Sequence, residues 1–178
     1  MGLRYVIAIA GALMLSACGG AERATIYLEQ RLGPDGPPRQ VAPVLAPAAR
    51  TLHTGIATPY QVVQLVRQGP AAGEWKQGFV ATIDRRTRVR SVSAIDSTAT
   101  VELVGQEPDF YGSAAIVYSL TSLPGIDTVR LRLNGRACCV YAHGGRPIES
   151  LRAQTFDYWQ GEPCAMRVEA DAVQCRTS

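Results

Sequence analysis

The chain has 178 residues, with 18 Lys+Arg against 15 Asp+Glu, 47% hydrophobic residues and five cysteines. A formal net charge of +3 is too slight a positive balance to point to nucleic acid as a partner. Without its N-terminal leader the chain still holds about 160 residues, which fits one domain with a proper core rather than several.

The leader is read first. One charged residue, Arg4, precedes an apolar run over residues 5–15, which ends in Leu15-Ser16-Ala17-Cys18. This is the layout of an export signal. The run is about half the roughly 20 residues that a membrane-crossing helix needs, which argues against a permanent span. Small residues at Ser16 and Ala17 immediately before a cysteine resemble the bacterial lipobox. That resemblance implies cleavage before Cys18, lipid on its sulfur, and attachment to the extracytoplasmic face of a membrane. Buried acyl methylenes contribute about 0.8 kcal/mol each, so two or more chains hold a protein stably without any protein helix.

In chain order, residues 24–29 alternate as a short strand, with Ile26 and Leu28 on one face and Tyr27 on the other. Gly33-Pro34-Asp35-Gly36-Pro37-Pro38 is a turn-dense connection to a second extended piece over residues 39–45, which Pro43 confines to a sheet edge. Thr58 is a predicted N-cap, Pro59 suits the first helical position, Val62, Leu65 and Val66 form an apolar face, and Gly69-Pro70 stops the helix. After a loop through Trp75 and Phe79, residues 87–95 and 98–104 read as a hairpin turning at Asp96-Ser97, with Ala99, Val101 and Leu103 inward. A second helix is expected over residues 112–123, with Ala115, Ile116, Leu120 and Leu123 at helical spacing and Pro124-Gly125 ending it. Then Val129, Leu131 and Leu133 point inward from a strand, Arg130 and Arg132 outward. Asn134-Gly135 is a strong type I′ signal leading to a paired strand over 136–142. The expected fold class is α+β: one compact domain with a mixed, mostly antiparallel sheet, two helices packed on it, and a disulfide-tied C-terminal tail.

That tie is read from the cysteines. With Cys18 assigned to lipid, Cys138, Cys139, Cys164 and Cys175 remain, an even set that reads as a disulfide framework in an oxidising compartment. Neighbouring Cα atoms lie about 3.8 Å apart, below the usual bridge span of roughly 4.4–6.8 Å, which disfavours a Cys138–Cys139 bond. The expectation is therefore two crosslinks from this pair to Cys164 and Cys175, their order open. No metal is expected: the spacing matches no zinc ribbon or finger, and there is no C-x-x-C.

No catalytic residue or cofactor is assigned. His53 and His143 lie in loops outside any recognisable constellation, and no nucleophile-elbow, zincin or phosphate-loop pattern occurs. The carboxylates Asp84, Asp96, Glu102, Glu107 and Asp109 read mostly as turn or solvated-face charges. Arg85, Arg86, Arg88 and Arg90 form a basic run, and Arg130 and Arg132 share a strand face. If these faces coincide, a stripe results that could touch phospholipid headgroups or anionic wall polymers. Phe156, Tyr158 and Trp159 form an aromatic cluster, expected to pack the tail onto the domain.

Four segments carry a family resemblance: Ala24-Thr-Ile-Tyr-Leu-Glu29, Gln64-Leu-Val-Arg-Gln-Gly-Pro70, Thr98-Ala-Thr-Val-Glu-Leu103 and, most specifically, residues 116–135, a helix ending in Leu120-Thr121-x-x-Pro124-Gly125 followed by a strand ending in Asn134-Gly135. They resemble the GerMN domain of sporulation and spore-germination proteins. The resemblance implies an extracytoplasmic lipoprotein without established catalytic residues, acting as scaffold or adaptor for envelope protein partners; the other reading is a ligand- or wall-polymer-binding lipoprotein. The expected organisation is a signal peptide over 1–17, a tether over 18–23, a GerMN-like domain over 24–147, and an extension over 148–178 carrying Cys164 and Cys175.

Overall fold

The computed structural model describes residues 22–31, 44–52, 57–142, 144–156, 166–169 and 172–175, with backbone only at residue 22 and in the last two segments. The elements in chain order are β1 (Glu22–Gln30), β2 (Val44–Leu52), α1 (Pro59–Gln68), β3 (Phe79–Val80), β4 (Arg88–Ile95), β5 (Thr98–Val104), α2 (Phe110–Thr121), β6 (Thr128–Leu133), β7 (Arg136–Ala137), β8 (Met166–Glu169) and β9 (Ala172–Cys175). Short 3-10 turns occupy Glu74–Gln77 and Ala153–Thr155.

The α+β expectation holds, with the sheet resolved into two main parts. One has the order β2-β1-β3 and the other β4-β5-β6-β7, while β8 and β9 pair as a separate hairpin. All neighbours are antiparallel except β5 and β6, which run parallel from Thr98↔Thr128 to Leu103↔Leu133. A parallel pair needs a crossover connection, and α2 supplies it.

Helix α1 starts as its sequence predicts. The Thr58 hydroxyl accepts from the Gln61 N–H at 3.2 Å while the Gln61 side chain accepts from the Thr58 N–H at 3.0 Å, a reciprocal capping box, and Pro59 opens the first turn. Val62, Val63 and Val66 are buried. Gly69 ends the helix at φ +77, its N–H donating to Leu65 and Val66 carbonyls.

Helix α2 differs from an amphipathic surface helix. It begins at Phe110, two residues before the expected start, because the Asp109 side chain accepts from the Gly112 N–H at 2.8 Å. Every residue from Gly112 to Leu120 is buried, since α2 packs against β1, β2, β6 and α1. A Cβ on Gly112 would stand 2.6 Å from the Thr82 carbonyl oxygen, so the close approach of helix and loop requires glycine there.

Strand β3 pairs only with Glu29 and Gln30, and the rest of that edge of β1 is met by helix hydroxyls. The Tyr27 N–H donates to Ser119 Oγ at 2.8 Å, and Ser119 Oγ donates to the Ala115 carbonyl at 2.6 Å. Ser122 Oγ donates to the Thr25 carbonyl at 3.2 Å.

Three expectations are corrected. The second extended piece continues to Leu52, well past the expected end at residue 45, as the strand Val44–Leu52; residues 39–43, Pro43 included, lie outside the described residues. It is an edge strand as expected, with Pro47 opposite Tyr27. The loop through Trp75 and Phe79 contains the 3-10 turn and β3, the turn being tied down by a paired Arg50–Glu74 contact with both N–O distances 2.7 Å. Strand β7 stops after two residues instead of continuing to 142, because Cys139 adopts φ +82 and breaks the extended backbone.

Ser119→Ala would leave the Tyr27 N–H without its acceptor in a part-buried site. The expected cost is about 1–3 kcal/mol of unfolding free energy, read by urea denaturation. The opposite sign is expected at Thr82, whose buried hydroxyl has no partner: Thr82→Val should be neutral or stabilising in the same assay.

Candidate functional site

The β4-β5 hairpin turns at Asp96 and Ser97, with φ of +47 and +60, as the sequence predicts. Its register fixes which arginines share a face. Arg88 stands opposite Val104, Ser91 opposite Glu102, and Ser93 opposite Thr100; across the parallel pair, Thr100 faces Arg130 and Glu102 faces Arg132. Ala99, Val101, Leu103, Val129 and Leu131 fill the buried side, so period-two alternation puts Arg88, Arg130 and Arg132 together on the outer side. Arg90 is the additional residue of a β-bulge between Val89 and Ser91 and falls outside this alternation. Arg85 and Arg86 are exposed in the turn before β4.

Glu102 interrupts the stripe. Its carboxylate lies 3.8 Å from the Arg132 guanidinium and accepts from the Gly135 N–H at 2.7 Å, so one acid pairs an arginine and holds the Asn134-Gly135 turn. Arg132 also donates to the Gly135 carbonyl. Beside them an open cleft of about 310 Å³ is lined by Thr100, Arg130, Arg132, Ala137 and Glu149. Arg86 forms an ion pair with Asp84 at 3.0 Å and donates its backbone N–H to the same carboxylate at 2.7 Å. The side-chain hydrogen bond from Arg86, then its backbone N–H, holds the Asp84 carboxyl down at about 2.

A second cluster was invisible in the sequence because its members are far apart. Glu107 accepts from the Cys139 N–H at 3.0 Å and from the Tyr141 hydroxyl at 2.6 Å, and that second bond raises the Tyr141 phenol above its ordinary range. Cys138 and Cys139 are bonded to each other with Cα atoms 3.7 Å apart, which corrects the expectation that both reach into the tail. The opposite-faces argument assumed a strand, whereas the positive φ of Cys139 turns both sulfurs to one side. The donor atoms of Glu107, Cys138 and Cys139 lie within 4.8 Å of one another, with both sulfurs committed to the bond.

The other sequence-assigned positions divide clearly. Asp109 is a helix cap and Asp96 a turn residue. Phe156 is buried, its ring 5.2 Å from that of Phe110 and 6.3 Å from that of Tyr118, as the packing expectation requires. Cys18, His53, His143, Tyr158, Trp159 and Cys164 lie outside the described residues, as does the side chain of Cys175. Among the described residues no helix is long and apolar enough to cross a membrane.

An α+β domain with one all-round buried crossover helix between two small sheets is the class that this geometry defines. A family model described as "Germane: Sporulation and spore germination" matches residues 25–138, and the chain belongs to that family. Among solved structures it is similar to the tandem GerMN domains of the sporulation protein GerM from Bacillus subtilis, with a TM-score of 0.59 and 12% identity over 80% of this chain and 49% of that one. It therefore spans about half of the tandem-domain chain. It is also similar to the first GerMN domain of GerM alone, with a TM-score of 0.53 and 20% identity over 74% of this chain and 97% of that one. No curated protein sequence gives a significant match.

Two measurements check this geometry. A non-reducing tryptic digest should give the peptide carrying Cys138 and Cys139 two hydrogens lighter than its dithiol form and free of other chains; a crosslinked partner peptide would restore the tail-tie expectation. In an NMR titration Asp84 should titrate near 2 and return toward the ordinary aspartate range in Arg86→Ala. Because its folded value is depressed, any stability it lends is present above the unfolded aspartate value and is lost as pH falls toward 2.

Proposed function

We propose that this protein is a non-enzymatic lipoprotein, anchored through Cys18 on the extracytoplasmic face of a bacterial membrane, where its GerMN domain serves as scaffold or adaptor in an envelope assembly. The family match over residues 25–138 carries the reading. The disposition of the polar groups supports it: Asp84, Glu102, Glu107 and Asp109 each hold a turn, a loop or a helix end, and the outer face of the four-stranded sheet is broad, with an open cleft rather than an enclosed pocket. A role in sporulation or germination is the finer form of the same proposal.

One observation favours a second reading, a lipoprotein that binds an anionic wall polymer or similar ligand: Arg130 and Arg132 line the same cleft. The two readings separate by experiment. Crosslinking in membranes followed by pull-down should recover stoichiometric protein partners with the wild-type chain and lose them, together with membrane association, with Cys18→Ser. Recovery of no partner counts against the adaptor reading. Retention on an anionic polymer that falls steeply between low and high salt supports the second.

A further inference from the structure

Strand directions place several separate segments at one end of the domain. Parallel pairing puts the starts of β5 and β6 together, and the hairpin adds the end of β4 with the Asp96-Ser97 turn. The Asp127 and Thr128 N–H groups both donate to the Ser97 carbonyl, at 2.9 and 3.2 Å. Helix α2 ends here too, and its bonds from Ser119 to Tyr27 and from Ser122 to Thr25 show β1 running antiparallel to it, so β1 starts at this end. Leu52 pairs with Glu22 and closes the set. Two exposed apolar side chains belong to this end: Ile95, 70% exposed at the hairpin tip, and Tyr60, 43% exposed in the first turn of α1, whose last turn lies at the opposite end, where Arg67 donates to the Thr87 carbonyl just before β4.

Cys18 precedes Glu22, the first residue of β1, by four positions. A chain spans at most about 3.3–3.6 Å per residue, so β1 must start within roughly 14 Å of a lipid-bearing Cys18. Lying flat on the outer face of the β4-β5-β6-β7 sheet fits this limit poorly, because α2 stands between that sheet and the edge of β1 that its serines bond, which sets β1 about 10 Å or more above the sheet.

We infer that the domain stands on its anchoring bilayer by this end, with Ile95 and Tyr60 against the lipid interface, and holds Arg85, Arg86 and Arg88 out of the bilayer's electrostatic reach. The occupant of the Ile95–Tyr60 end is the phospholipid surface itself. Asp96 and Asp127 stand there together with Arg23 and Arg152, acids and bases mixed, so tether length and apolar contact, not net charge, set the pose. Tyrosine suits such a position, with an apolar ring and a polar tip. Arg88 lies six strand positions up from the tip, opposite Val104 where Thr98 begins β5, which is about 20 Å. The screening length at physiological salt is about 8 Å. Any anionic contact of these arginines is therefore with something other than the anchoring bilayer.

The inference rests on lipid attachment at Cys18, and the test separates the two. Mass spectrometry of the envelope protein reads the attachment by itself. For the pose, the mature chain with its other cysteines oxidised is coupled through Cys18 to a maleimide-headgroup lipid in phosphatidylcholine–phosphatidylglycerol vesicles. An environment-sensitive fluorophore is placed as an unnatural amino acid at position 95 or at position 134, both exposed. A nitroxide in the lipid headgroup should quench position 95 several-fold more than position 134. A second pair of exposed positions, 124 and 86, should show the same order and guards against misfolding of either variant. Equal quenching in both pairs, or stronger quenching at 134 and 86, overturns the pose whether or not the natural protein proves to be lipidated.

Discussion

The interaction on which the rest depends is the burial of α2 between the two sheets, together with the hydroxyls that make this burial tolerable. A helix buried from Gly112 to Leu120 satisfies its own backbone, but the strand beside it does not. Strand β3 covers only the last two residues of β1, and the open stretch faces the helix. Ser119 and Ser122 turn that edge into bonded backbone by reaching Tyr27 and Thr25. Small residues let the approach happen: Gly112, Ala114 and Ala115 bring the backbone close, while Ile116, Val117 and Leu120 fill the remaining space.

From this packing follows the polarity of the molecule. A crossover helix must run opposite to the parallel strands it joins, so α2 carries the chain back to the end where β5 and β6 begin. Because β1 lies antiparallel along α2, the N-terminus emerges at that same end. The opposite end collects the Asn134-Gly135 turn, the bonded Cys138–Cys139 pair with Glu107, and the exposed Arg85 and Arg86. Under the proposed anchor at Cys18, four residues before β1, the domain has a near and a far side, with Arg85, Arg86 and Arg88 toward the far one.

Relatives with 12% and 20% identity share this fold, which shows how little of it depends on particular side chains. In this chain the fold rests on a capped first helix, a hairpin, a buried crossover helix and a strand closing on Asn134-Gly135. At the end of that strand pair stand the Cys138–Cys139 bond and Glu107, the carboxylate that receives the Cys139 N–H. These end β7 after two residues, where alternation alone would have continued it.

The sequence by itself determined the elements whose signals are local. Thr58, Pro59 and Gly69 bounded α1; Asp96-Ser97 and Asn134-Gly135 marked tight turns; alternation in 98–104 named Ala99, Val101 and Leu103 as core. Each rests on backbone preference or on periodicity within a few residues, and so needs no knowledge of neighbours. Only the tertiary structure decided what is shared between distant segments. The burial of α2 on every side, the use of Ser119 to complete a strand 92 residues away, and the meeting of Arg88 with Arg130 and Arg132 on one face all depend on strand register. The pairing of Cys138 with Cys139 was misread for the same reason. The sequence argument placed both on a strand, and the positive φ that brings their sulfurs together is imposed where the chain leaves β7.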